Sequence, residues 1–243
     1  MRVGIIAEGR SDFMVVANIL EGKLGVPRHK LTPLRPQFSL DETDRASAKQ
    51  RWEQRPDEYG NYALVLEECS APYEKILDFL DTPIDEVRFV VVHIDTDKCD
   101  TPEFGVVRPP KKPNAACEVY TSTLYKVVAA RLEALLGPEL RRRVCFAIAV
   151  EETEAWLLTL WDRDEPRDTG LRGDPKKYFH ECIVGDPKRK NPPPAREKGA
   201  KEHEYFDELS RGFREGFVLA ACCERNDSLA LFVTALESFA APT

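Results

Sequence analysis

Arg88-Phe89-Val90-Val91-Val92-His93-Ile94-Asp95-Thr96-Asp97 decides the fold. Residues 89–94 are an apolar run, rich in β-branched side chains and interrupted only by His93, which is the pattern of a strand buried on both faces. Such strands belong to parallel sheets covered by helices on each side. The run stops at an acid. Two others do the same: Val3 to Ala7 before Glu8, and Val144 to Val150 before Glu151. Tyr62 to Leu66 reads as a fourth strand.

Helical patterns lie between these runs. Phe13 to Leu24 places Val16, Ile19, Leu20 and Leu24 on a shared face, with Ser11 or Asp12 as the expected N-cap. Tyr120 to Leu136 repeats the pattern through Leu124, Val127, Val128, Leu132 and Leu135, and Gly137-Pro138 is expected to stop it. The alternation predicts an α/β fold, a three-layer sandwich with a mainly parallel sheet, extended by C-terminal helices. Residues 1–162 read as the α/β core. Within it, 25–60, broken by Pro27, Pro33 and Pro36 and carrying a charged helical segment around Ala46 to Arg55, reads as an insertion. Residues 163–243 read as a basic loop followed by helices packed on the core, with Leu229, Phe232, Val233 and Leu236 as the inward stripe.

The chain has 243 residues, 42% of them hydrophobic and 32% charged, which describes a globular protein with a sizeable core. Its formal net charge of −7 is the wrong sign for a protein that coats nucleic acid through its whole surface. No apolar run approaches a membrane span, and the N-terminal stretch lacks the pattern of a signal peptide, so a cytoplasmic location is expected. Seven cysteines without a C-x-x-C pair fit neither a disulfide framework nor a zinc site.

Parallel sheets gather functional groups where strands leave the sheet at their carboxyl ends. Glu8, then Asp95 and Asp97, then Glu151, Glu152 and Glu154 all fall at that edge. Carboxylates crowded together repel one another unless a cation compensates, and hard oxygen donors of this kind suit Mg2+ or Mn2+. Asp95 and Asp97 are two apart, so in extended structure both would face one ion while Thr96 points away. Acids at a strand end also cap turns, and an acid at Glu154, in the first turn of a helix, is what the helix dipole alone selects. His93, inside a strand, reads as a satisfied core or edge residue, and Trp156, Leu157 and Leu158 as the buried face of a helix.

Glu8-Gly9-x-x-Asp12 after a first strand, with Asp95-x-Asp97 after a later one, resembles the TOPRIM family of primases, topoisomerases and nucleases. Glu151-Glu152-Thr153-Glu154-Ala155-Trp156-Leu157-Leu158 and the closing Asp227-Ser228-Leu229-Ala230-Leu231-Phe232 resemble a TOPRIM-like branch near the overcoming-lysogenization-defect nucleases. The chain departs from that branch in its long loops and in having no Phe directly after Ser228, so substrate details do not carry over. The resemblance implies a Mg2+- or Mn2+-dependent phosphodiesterase acting on DNA or RNA, with an ATPase partner in bacterial defence. It makes Glu8 a metal ligand or general base, Asp95 and Asp97 the paired metal-binding aspartates, and Glu151 and Glu154 holders of a second ion.

Two basic stretches would admit a phosphate backbone to such a crevice. Residues 176–201 carry eight basic and three acidic residues, Lys176 and Lys177 first among them, and Arg108, Lys111 and Lys112 form another basic loop after the aspartates. Arg10, beside Glu8, completes the expected substrate contacts. Solvated surface loops would have the same composition. A non-catalytic metal-binding or docking subunit of an ATPase complex, and more remotely a receiver-like phosphoacceptor domain, would place acids at the same edge.

Overall fold

A computed structural model describes residues 1–36, 61–83, 86–110, 117–162, 174–186, 188–189 and 191–240. Four strands, β1 (Arg2–Ile6), β2 (Leu31–Arg35), β3 (Arg88–Asp95) and β4 (Val144–Ala149), form one sheet in the order β2-β1-β3-β4, and every pair is parallel. Between and after them come α1 (Arg10–Leu24), α2 (Asn61–Glu68), α3 (Glu74–Asp81), α4 (Cys117–Arg141), α5 (Thr153–Trp161) and α6 (Pro175–Tyr178). The last of these runs into a π-helical turn, Phe179–Val184. The C-terminal region adds α7 (Glu202–Ser210), a 3-10 turn (Arg211–Arg214), α8 (Gly216–Cys223), α9 (Asp227–Ala235) and α10 (Glu237–Ala240).

The unbroken apolar strands are explained by two separate cores, because side chains along a strand alternate between faces. Val3, Ile5, Phe89, Val91, Cys145 and Ala147 point to one face, under α1, α5 and the C-terminal helices. Ile6, Val90, Val92, Ile94, Val144 and Phe146 point to the other, under α2, α3 and α4. The expected three-layer α/β sandwich is therefore present, and the stripe Leu229, Phe232, Val233 and Leu236 is buried as expected.

Several local expectations are corrected. Tyr62 to Leu66 lies in α2, not in a strand: its buried residues Tyr62, Val65 and Leu66 recur at helical spacing, and so short an apolar run does not distinguish the two periods. The strand comes instead from Leu31–Arg35, inside the stretch read as an insertion. Pro33, which can donate no ladder hydrogen bond, is tolerated there because β2 is the sheet edge. The charged segment Ala46 to Arg55 lies outside the described residues. Gly9, not Ser11 or Asp12, is the N-cap of α1, while the Asp12 carboxylate reaches back to accept the Gly9 N–H at 2.8 Å. In α4, Gly137 adopts φ 72° and breaks the helix as expected, but a further turn follows to Arg141, and Val127 faces solvent.

The C-terminal helices are fastened to α1 by a charged network. Asn18 Nδ2 donates to Asp207 O at 3.0 Å and Ser210 Oγ at 2.7 Å, while Arg28 and Arg214 each bridge Glu21 and Asp207 at 2.7–3.0 Å. Gly22 makes this approach feasible: a Cβ there would stand 1.9 Å from the Phe213 carbonyl oxygen. Gly→Ala inside an exposed helix stabilises by up to about 1 kcal/mol, but backbone atoms cannot yield to such an overlap. Gly22→Ala is therefore expected to destabilise the chain by about 2 kcal/mol or more in urea unfolding, and a neutral or stabilising result would contradict this packing.

Candidate metal centre

The ends of β1 and β3 are tied by one hydrogen bond across the sheet edge: the Asp95 N–H donates to Glu8 Oε1 at 2.7 Å. The parallel register, with Ile6 beside Val92, continues to Glu8 beside Ile94, one residue before Asp95. Asp12 arrives from the first turn of α1, where its bond to Gly9 holds it over the same edge. Asp12, His93 and Asp95 each offer a ligand atom, and these atoms lie within 4.8 Å of one another. Thr153, the first residue of α5, donates its hydroxyl to Asp95 Oδ1 at 2.9 Å and lies 3.0 Å from His93 Nε2.

These acids are desolvated faster than they are neutralised. Burial pushes the Glu8 carboxyl from an ordinary 4.5 up to about 8, with the charges of Asp12 and Asp97 adding to it and the Asp95 N–H and Arg35 opposing. Asp95 is raised well above its usual range by burial, then by Asp12, Glu8 and Glu154. His93 is lowered by burial, against the charges of Asp12 and Glu154. Among the described residues no Lys or Arg forms an ion pair with Glu8, Asp12 or Asp95. Partly buried carboxylates without a cationic partner are oxygen donors that fit a divalent cation.

The other expected site residues divide. β3 ends at Asp95, so the same-side spacing stops there and Asp97 sits in a turn. Its carboxyl is raised by burial, against Lys98, Lys176 and Arg108, and its charge still reaches Glu8. Glu154, 5% exposed in the first turn of α5, is 4.0 Å from Lys176 Nζ and 3.7 Å from His180 Nε2, and its charge is felt at Asp95. Lys176 borders the crevice: burial lowers its pKa, but Glu154, Glu152, Asp95 and Asp12 together raise it further. Lys177 has its backbone N–H bound to Asp174, with an exposed side chain. Arg10 lies near His203, adding to the burial that lowers the His203 pKa. Lys111 and Lys112 lie outside the described residues.

Glu151 is turned elsewhere. Its carboxylate accepts from Arg108 at 3.1 and 3.2 Å and from the Tyr120 hydroxyl at 3.0 Å, which places it outside the Asp12–His93–Asp95 group. Its backbone takes the left-handed φ of 70°, uncommon for a residue with a side chain, and donates to Thr96 Oγ1 at 2.8 Å while accepting the Thr96 N–H at 3.1 Å. Arg108 also binds the carbonyls of Thr96 and Asp97. This basic residue, read from sequence as part of a phosphate-binding loop, instead fastens the turn that carries the aspartates. Sequence reasoning assigned no site role to His93 or Thr153. The signal available was a histidine two residues before the acid, hence on the same side of the strand.

Comparison of the chain with protein-family models, with curated proteins and with solved structures finds no match.

A carboxyl that protonates at about 8 when folded but near 4.5 when free holds more protons in the folded state across that window. Metal-free stability should therefore be greatest below pH 4.5 as far as Glu8 is concerned, and should fall as pH rises through about 8. Thermal melts in chelator across that range are expected to show the decline, Glu8→Gln to flatten it, and Mn2+ to reverse it at the alkaline end. A Glu8→Gln profile parallel to the wild type would refute the assignment.

Proposed function

We propose that the protein is a divalent-metal-dependent phosphodiesterase, an endonuclease acting on DNA or RNA, with Mg2+ or Mn2+ held by Asp12 and Asp95 next to Glu8. The observation that carries this reading is the bond between Glu8 and the Asp95 N–H, which joins two strand ends whose desolvated carboxylates lack a paired Lys or Arg among the described residues. The TOPRIM resemblance supports it through Glu8 and Asp95, while it gave Asp12 no ligand role and paired Asp95 with Asp97. A bound divalent ion neutralises non-bridging phosphate oxygens, lowers the pKa of a coordinated water and stabilises the leaving oxygen.

The chain's own groups supply the rest. Glu8 is pushed up to about 8 in the metal-free chain; a neighbouring divalent ion would lower that value and favour the carboxylate, the form that accepts a proton from water as a general base. Lys176, its positive charge reinforced by the surrounding acids, is placed to meet a phosphate oxygen at the rim. The formal charge of −7 limits binding through the general surface, so tight engagement of nucleic acid is assigned to metal and to an ATPase partner. Because Glu8 also bridges two strands, the same acids would serve a non-catalytic metal-binding subunit, and turnover separates the two readings.

Plasmid nicking and RNA cleavage with Mg2+ or Mn2+, with and without the partner ATPase, are expected to fall by about 100-fold or more in Glu8→Gln and Asp95→Asn. Lys176→Ala is expected to weaken substrate binding more than turnover. Equal background signal from wild type and variants, with the partner supplied, would rule out the nuclease.

A further inference from the structure

Asp95 is gripped on one oxygen only. Thr153 donates to Oδ1, and no hydrogen bond reaches Oδ2 among the described residues. His93 Nε2 stands 3.7 Å from the same Oδ1, too far for a direct hydrogen bond, with the Thr153 hydroxyl between them. A hydroxyl has one proton. If Thr153 gives it to Asp95, the contact at 3.0 Å requires the imidazole to donate, so a neutral His93 carries its proton on Nε2. The buried and unpartnered Nδ1 is then a bare lone pair and not a stranded N–H.

The surroundings hold this arrangement in place. His93 is 0% and Thr153 1% exposed, so solvent does not compete for either. The His93 and Trp156 rings meet edge to face, with centroids 5.6 Å apart and planes at 81°. The Trp156 indole N–H donates to Ser228 Oγ at 2.8 Å, and Ser228 donates to Asn226 Oδ1, the group that caps α9. A threonine at the start of a helix could spend its hydroxyl on the backbone; this one is spent on a carboxylate and an imidazole from β3.

We propose that His93 and Thr153 are positioning residues for Asp95: the imidazole N–H holds the hydroxyl oxygen, the hydroxyl proton holds Oδ1, and Oδ2 is left as the free oxygen for a divalent cation. This rests on the metal-centre reading above and adds to it which oxygen is presented and what presents it. His93 is thus a holder of the ligand and not a ligand.

The test is calorimetric titration of Mn2+ into the full chain and four variants, with thermal melts to confirm folding. Thr153→Val keeps the volume and His93→Phe keeps a flat ring, both lose the hydrogen bonds, and both are expected to weaken Mn2+ by about 10-fold or more, as removal of a ligand's outer partner typically does. Thr153→Ser keeps the hydroxyl and His93→Gln places an N–H near Nε2, so both should stay within about threefold of wild type. In the Mg2+-loaded chain, imidazole 15N shifts should report the Nε2–H tautomer of His93. Unchanged affinity in Thr153→Val and His93→Phe overturns the proposal alone. So does an Nδ1–H tautomer, or a His93→Gln loss as deep as that of His93→Phe, the mark of direct ligation. A wild type that binds no Mn2+ overturns the metal centre itself, and this proposal with it.

Discussion

Carboxylates removed from water without an ion-paired cation are the constraint on which this structure turns. Glu8 and Asp95 sit where β1 and β3 leave a parallel sheet, and the backbone of one strand holds the side chain of the other. That bond fixes their separation, but it cannot supply the charge that burial takes from solvation. The surroundings are arranged as if the deficit were to be met from outside. Asp12 adds another acid where α1 begins, the nearby basic Arg108 is committed to Glu151, and Lys176 approaches from the rim.

The turn from β3 shows how much structure serves this edge. Thr96 is bracketed by the backbone of Glu151, whose left-handed conformation brings its N–H and carbonyl to the same residue. Arg108 then closes the arc by holding both the Glu151 carboxylate and the turn's carbonyls. Local backbone strain of this kind persists only where neighbours over-determine it. Here three elements do: the end of β4, the turn after β3, and Tyr120 from α4.

Much of this was legible in the sequence, for reasons that differ by residue. The run from Phe89 to Ile94 specifies a doubly buried strand because nothing else accommodates so many adjacent β-branched side chains beside an acid, and Glu8 and Asp95 follow from strand ends alone. Tyr62 to Leu66 was misread because five residues span little more than one helical turn, too few for either period to declare itself. Leu31–Arg35 was hidden by Pro33, a strand breaker anywhere but at an edge, and edge position is a property of the whole sheet. Glu151 looked like a ligand because its place in the chain is right, and only the three-dimensional path of Arg108 diverts it. His93 and Thr153 are sixty residues apart, so their shared contact with Asp95 is invisible until β3 and α5 are set side by side.

The order in which the two cores are completed has a consequence for synthesis. The face under α2, α3 and α4 receives its last strand residues with β4, so it can close once that strand has formed. The opposite face also needs Phe206, Leu209, Leu219, Leu229 and Phe232, all of which lie C-terminal to every described strand. A ribosome therefore delivers a finished sheet with this side covered only by α1 and then α5, and the nascent chain must keep the rest of that surface from sticking to other proteins until the C-terminal helices emerge.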